Sequence, residues 1–361
     1  MAGFPNIPVM RPLLPTFDQY ATYLKQIDAS RIYSNRGPLV RRLETRYAEK
    51  LGVGEESRVV LCSNATLAIQ GFLQISGVNT WHIPSFTFAA TVHAGLQSGK
   101  KIVLDDIEPG TWMISPSVVK NPKTEGLIPV LPFGAPLNMS RYSKLDHVLI
   151  DASASIGGAS AWINSIGENW GVVFSLHATK NFGIGEGGLV VFGSKEIADK
   201  FREWLNFGFS GSRESMREAT NAKLSEFQAA VGLAVLDNWH TEVGDWRKVR
   251  AMVDNVSEGL GVGLFEVIPK GTLSPYWIIS HAEQGLILRI GAALKEAGIE
   301  TRKWWSYGCH SMPAFSRFYG QNFEVTERIS LAYLGLPLFR ELSEGDVDQI
   351  SSIVEREIGE R

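Results

Sequence analysis

The sequence predicts an α/β protein: a mostly parallel central sheet with helices on both faces, plus a smaller C-terminal α+β domain. Three observations carry this. Short apolar runs at 58–61, 80–83, 101–104, 127–131, 148–150, 170–175 and 188–192 alternate with helical stretches. Such alternation builds parallel strands joined by helical crossovers. Two of the runs lead straight into polar residues, at 63–66 and at Asp151, as strands do at the ligand-binding edge of an open sheet. The length, 361 residues, is enough for a large core and two lobes.

In chain order, 38–52 reads as a helix whose Leu39, Leu43 and Tyr47 share one face. Val59, Val60 and Leu61 form a strand. Ser63, Asn64 and Thr66 then open a helix, either as ordinary N-caps or as an anion site that uses the same free N–H groups. The run His147-Val-Leu-Ile-Asp151 is a buried strand that presents a carboxylate at its C-terminal end. Phe227, Ala230, Val231, Ala234 and Val235 mark a helix at 225–239. A longer helix at 243–260, charged on one side, connects a large lobe (1–240) to a small one (241–361). Internal repeats, low-complexity tracts and heptads are not seen.

The bulk numbers exclude several classes. Hydrophobic content of 44% and charged content of 20% are those of an ordinary globular chain. A formal net charge of -3 offers no basic field for nucleic acid. No apolar run is long enough for a bilayer. Cys62 and Cys309 form neither a metal-like pair nor a disulfide framework, so no metal is expected and a reducing compartment is. The N-terminus lacks a basic segment followed by an apolar one, so no signal peptide is expected and the location expected is cytoplasmic.

The most informative run is Ser175-Leu-His-Ala-Thr-Lys180-Asn-Phe-Gly-Ile-Gly-Glu-Gly-Gly188. A lysine amine attacks carbonyls only when deprotonated, and partial desolvation favours that form. Lys180 is either such an amine, able to hold pyridoxal phosphate as a Schiff base, or a surface lysine before a Gly turn. Asp151 is either a partner for the protonated pyridine nitrogen of that cofactor or a cap for the following helix.

Together and in this order, these pieces resemble the DegT/DnrJ/EryC1/StrS family, pyridoxal-phosphate-dependent sugar aminotransferases of fold type I. The resemblance spans nearly the whole chain. It includes Tyr33-Ser-Asn-Arg-Gly-Pro-Leu-Val-Arg-Arg-Leu-Glu44, Pro84-Ser-Phe-Thr-Phe-Ala-Ala-Thr91, Leu131-Pro-Phe-Gly-Ala-Pro136, Thr220-Asn-Ala-Lys-Leu-Ser-Glu-Phe-Gln-Ala-Ala230 and Leu334-Gly-Leu-Pro-Leu-Phe339. The resemblance implies that Lys180 is the Schiff-base lysine and proton shuttle, and that Asp151 is the pyridinium partner. It implies Phe88 as the ring stacked on the cofactor, and Ser175 with Asn64, Ala65 and Thr66 as the phosphate cradle. Asn221, opening its helix, would reach the phosphate of a neighbouring subunit, which implies a homodimer with shared sites. Tyr33, His177, Arg213, Tyr307 and His310 are the substrate residues it suggests. Arg213 and Arg217 lie in a polar segment that is either a diphosphate clamp or a solvated loop. Trp304 and Trp305 either stack on the substrate or fill a domain interface.

The chain departs from the family at Ala154, where Gln or His usually stands near the cofactor's phenolic oxygen. It departs again at Asn206-Phe-Gly-Phe209 and in the segment Trp304-Trp-Ser-Tyr-Gly-Cys-His310. The implied reaction transfers an amino group from an amino acid, glutamate by analogy, to a nucleotide-linked keto sugar. The nearest branch uses dTDP-4-keto-6-deoxyhexoses, whose products feed O-antigen and lipopolysaccharide synthesis. Two rivals are a sugar dehydratase of the same fold, which carries His in place of Lys180, and a regulatory relative, for which no helix-turn-helix is seen.

Overall fold

The computed structural model describes residues 6–260, 265–266 and 268–359. The large lobe is built on strands β1 (Val59–Cys62), β2 (Thr80–Pro84), β3 (Lys101–Asp105), β4 (Glu125–Leu127), β5 (Leu149–Asp151), β6 (Gly171–Ser175) and β7 (Gly188–Phe192). One ladder runs β3-β2-β4 and another β1-β7-β6-β5. Parallel bridges Leu127↔Val148 and Val130↔Asp151 join them into a single sheet. Neighbours are parallel except for β7, which is antiparallel to both β1 and β6. β7 returns from β6 through the Gly-rich loop carrying Lys180 rather than through a helical crossover, and so it runs backward.

The helices of this lobe are α1 (Phe17–Ser30), α2 (Pro38–Leu51), α3 (Ala65–Ile75), α4 (Ala89–Gln97), α5 (Lys195–Leu205) and α6 (Glu226–Asp237). They cover both faces, which is why β1, β6 and β7 are buried along their whole length and read as continuous apolar runs. Side chains still alternate. Ile150 and Val172 enter a core with Leu43 and Tyr47 of α2, while Leu149 and Val173 enter a second core with Phe72 and Trp204.

The small lobe contains α7 (Trp239–Gly259), β8 (Phe265–Glu266), β9 (Trp277–Ser280), α8 (Gln284–Glu296), α9 (Glu324–Leu331), β10 (Tyr333–Leu336) and α10 (Glu344–Gly359). Its antiparallel sheet has the order β10-β9-β8, packed through Trp277, Ile290, Leu334 and Ile350. The boundary expected at 240 falls in the first turn of α7. The chain start also crosses over: Ile7 bridges Ile299, and Leu338 N–H donates to the Val9 carbonyl at 3.2 Å.

Three local expectations are corrected. The strand expected at 127–131 stops at Leu127, and beyond it only Val130 makes a bridge. Pro129 between them has no N–H for the ladder. Asn221 does not open a helix: it is extended, bridged to Asn206. The helix starts after Ser225, whose hydroxyl and backbone form a capping box with Gln228. Phe227 of that helix is 49% exposed and stacks on Tyr33 at a centroid distance of 6.1 Å instead of entering the core.

Candidate active site

A cavity of about 700 Å³ opens where β5 and β6 end. Asn64, Ala65, Thr66, Phe88, Asp151, Ser175 and Lys180 all line it. These residues come from strand ends, a helix start and loops spread over the first half of the chain, and the sheet order brings them to one edge.

Asp151 ends β5 and is 5% exposed. Its Oδ2 accepts from Thr91 Oγ1 at 2.7 Å, and Thr91 Oγ1 in turn accepts from Thr87 Oγ1 at 3.1 Å. Its Oδ1 accepts from Ser153 Oγ at 2.6 Å and from Ser153 N–H at 3.2 Å. The bond to Ser153 N–H is a local turn of the capping kind, yet the carboxylate also faces the cavity.

Asn64 caps α3, its side chain accepting from Leu67 N–H at 2.9 Å. Ala65 and Thr66 line the cavity at the first turn, where N–H groups lack intrahelical acceptors and the dipole favours an anion. Gly188 allows β7 to begin against this cap. A Cβ there would lie 2.6 Å from the Asn64 carbonyl carbon. Ser175, at the end of β6, accepts from His177 N–H at 3.3 Å.

The loop carrying Lys180 closes on itself. Leu176 N–H donates to the Gly187 carbonyl at 2.9 Å, and Ile184 N–H to the Leu176 carbonyl at 2.8 Å. Gly183 permits this closure, since a Cβ would sit 2.5 Å from the His177 oxygen, and Gly185 adopts φ +97°. Lys180 is therefore turned inward rather than left on the surface. Its Nζ donates to the Tyr276 hydroxyl and lies 5.0 Å from the Tyr276 ring centroid.

One wall of the cavity is aromatic. Phe133 stacks on Trp305 at 4.4 Å and meets Tyr276 at 5.6 Å, and Tyr276 meets Trp304 edge-on at 4.9 Å. Phe133 holds φ +53°, a strained setting for a bulky residue. Trp304 lies across β10 at Gly335, where a Cβ would come within 1.9 Å of its ring. Phe88, by contrast, caps α4 with its ring 57% exposed. Trp304 and Trp305 pack against Phe133 in the seam between the lobes and also line the cavity.

Of the suggested substrate residues, His177 lines the cavity; its Nδ1 accepts from Thr179 N–H at 3.2 Å. Tyr33, Arg213, Tyr307 and the cofactor candidate Asn221 lie on the surface outside it. Arg217 is tied to Glu203 at 2.6 Å. His310 is 6% exposed, with Nδ1 on Ser85 Oγ at 2.6 Å and Nε2 on Glu327 at 3.2 Å. These bonds hold its ring in the seam between the lobes, away from the cavity. Ala154 lines the cavity, as do Tyr276 and Arg302, which sequence reasoning missed. Neither lies in a motif: Tyr276 precedes β9, and Arg302 bridges Gly335 of β10.

Burial pushes the Cys62 thiol up to about 12, a core residue rather than a reactive one. Among the described residues no group of His, Cys, Asp and Glu is placed to hold a metal ion, and no helix is long and apolar enough to cross a membrane.

Comparison with known proteins agrees with this geometry. The model of the DegT/DnrJ/EryC1/StrS aminotransferase family matches residues 18–355. The solved structure of a candidate PLP-dependent aminotransferase from Bacillus cereus is 27% identical, with a TM-score of 0.88 over 97% of this chain and 99% of that one. DesI, solved in the presence of its TDP-sugar product, is 29% identical, with a TM-score of 0.84 over 98% of this chain and 93% of that one. A dTDP-4-amino-4,6-dideoxy-D-glucose transaminase of Shigella dysenteriae is 31% identical over 64% of this chain and 65% of its own length.

Proposed function

The chain belongs to the DegT/DnrJ/EryC1/StrS aminotransferase family and is a pyridoxal-phosphate-dependent sugar aminotransferase, and from that premise we propose that it aminates a dTDP-linked 4-keto-6-deoxyhexose with glutamate as donor. The observation that carries this reading is the convergence of Lys180 and Asp151 on one cavity of about 700 Å³. That volume lies in the upper part of the roughly 300–1,000 Å³ range of small-molecule sites, and so leaves room for a substrate beside a cofactor.

The donor set fits the cofactor. Lys180 is the one lysine that lines the cavity among the described residues, and it suits an aldehyde. The Asp151 carboxylate suits a protonated ring nitrogen. The first turn of α3, with the hydroxyls of Thr66 and Ser175, suits a phosphate. Phe88 offers a ring face. When bound, pyridoxal phosphate supplies the electron sink that lets a carbon-bound proton leave. Lys180 Nζ, once free, would accept that proton and give it back. Asp151, held by Thr91 and Ser153, keeps its negative charge aimed at one point. The aromatic wall of Phe133, Tyr276, Trp304 and Trp305 excludes water.

The identity of the acceptor is supported by what the Shigella relative and DesI are named for and contain. A homodimer with shared sites is part of the same reading. Ile32, Tyr33, Phe207, Met216 and Phe227 are each more than 40% exposed. The Tyr33–Phe227 stack and the Asn206↔Asn221 bridge tie them to the segment bearing Arg213 and Asn221. An apolar patch of this kind suits a two-fold interface. It would place Asn221 and Tyr33 at a second copy's cavity. The product, an amino sugar, would enter O-antigen or lipopolysaccharide synthesis in the cytoplasm.

The test is direct. The protein, loaded with pyridoxal phosphate, is incubated with L-glutamate and a panel of keto sugars carried on dTDP, UDP or GDP, and products are identified by mass and NMR. A dTDP-4-amino-6-deoxyhexose formed together with 2-oxoglutarate is expected. Amination of only another nucleotide's sugar overturns the acceptor assignment.

A further inference from the structure

The Tyr276 side chain is 6% exposed, and a buried phenol hydroxyl needs a partner. Here that partner is Lys180 Nζ. Packing alone does not call for the hydroxyl. The ring's contacts with Phe133 and Trp304 are ones a phenylalanine would make equally well.

The backbone that presents the phenol is braced at both ends. Tyr276 N–H donates to Ser274 Oγ at 3.1 Å, and Ser274 Oγ donates to the Phe133 carbonyl at 2.6 Å. The Tyr276 carbonyl accepts from the Arg250 guanidinium at 3.0 Å. Arg250 is itself 2% exposed and paired with Asp254 on α7. The hydroxyl therefore stands on a rigid mount supplied by the second lobe. Lys180 sits on a flexible four-carbon stem supplied by the first.

We propose that Tyr276 is a positioning residue for Lys180, its hydroxyl fixing Nζ and following it through both protonation states. A phenol accepts from an ammonium N–H and donates to the lone pair of a free amine. One hydroxyl can thus hold Nζ before and after it takes up a proton. The consequence is aim: a displacement of about 1 Å at a reacting atom costs on the order of 10²-fold in rate. The role rests on Lys180 being the cofactor-bearing lysine, and the two ideas fail in different ways.

The experiment uses apo-protein and pyridoxal phosphate alone, with no sugar. Covalent attachment is followed by visible absorbance and confirmed by borohydride reduction and peptide mapping, across a pH series. Tyr276→Phe is expected to slow attachment by roughly tenfold or more. Its thermal midpoint and the non-covalent uptake of the cofactor should stay near the parent's. Incorporating 3-fluorotyrosine at 276, which keeps the hydroxyl and nearly the same shape, is expected to attach cofactor at close to the parent's rate. If Tyr276→Phe attaches cofactor at the parent's rate with a superimposable pH profile, the positioning role is wrong and Tyr276 only packs. If the parent itself takes no cofactor onto Lys180, the fault lies in the underlying reading instead.

Discussion

Asp151→Asn separates the charge of the Asp151 side chain from its shape. In the parent, Oδ1 faces two donors from Ser153, at 2.6 and 3.2 Å, one of them a backbone N–H that cannot reverse. An asparagine must therefore keep its oxygen on the Ser153 side and turn its amide toward Thr91, which sits at 2.7 Å. Thr91 Oγ1 can accept that N–H, because the Thr87–Thr91 pair is a chain of hydroxyls that can reorient. The number of hydrogen bonds is thus kept, and the fold loses only the added strength of bonds to a charged acceptor, ~1 kcal/mol. The cofactor would lose the counter-charge that Asp151 supplies, an effect of about 3–4 kcal/mol at a preorganised site, which is roughly 10²–10³-fold in rate. The assay is the half-reaction with L-glutamate, read by the change in cofactor absorbance, with thermal unfolding as control. A cofactor methylated on the ring nitrogen carries its positive charge regardless and should recover part of the lost rate. Turnover within about threefold of the parent, in a variant that still binds cofactor, would falsify the role of Asp151 as the pyridinium partner.

Further outcomes are expected. In the parent, borohydride should fix the cofactor to Lys180; Lys180→Ala should still take up cofactor but show no turnover, and peptide mapping that finds another lysine labelled rules Lys180 out. Gly335→Ala places a methyl 1.9 Å from the Trp304 ring, so Trp304 must move, at a cost of about 1–3 kcal/mol; a melting curve and tryptophan fluorescence both matching the parent's would show that this wall is not tightly packed. Mixing inactive Lys180→Ala subunits with inactive Asn221→Trp subunits should restore part of the activity, since one of the two sites in a mixed dimer carries neither defect; re-equilibrated mixtures that stay inactive refute the cross-subunit role of Asn221.

Much of the fold was legible because each strand announces itself. The runs ending at Leu61, Ile150 and Phe192 are continuous and apolar, and a strand covered on both faces needs that composition. The run at 127–131 was misread because apolar character alone does not register that Pro129 lacks a donor. The helix expected at 225–239 is found, but Asn221, expected to open it, lies before its start. Asn is a good cap, but the Ser225–Gln228 capping box four residues later is the stronger signal. Phe227 was assigned to a buried face because helical periodicity cannot tell which side of a helix meets its own chain.

By itself the sequence determined the alternation of strands and helices, the glycine-rich loop that can turn Lys180 inward, and the carboxylate placed at the end of a buried strand. These are local properties, set by backbone freedom, turn chemistry and the side chains of a few consecutive residues. Only the tertiary structure decided that Tyr276 reaches Lys180, that Trp304 lies over Gly335 at the cavity wall, and that His310 is spent on Ser85 and Glu327. Each of those pairs is separated by many residues; Tyr276–Lys180 and Ser85–His310 join the two lobes, and the other two depend on how the second lobe packs on itself. No periodicity or motif along the chain encodes that approach, because it is set by the summed shape of both cores.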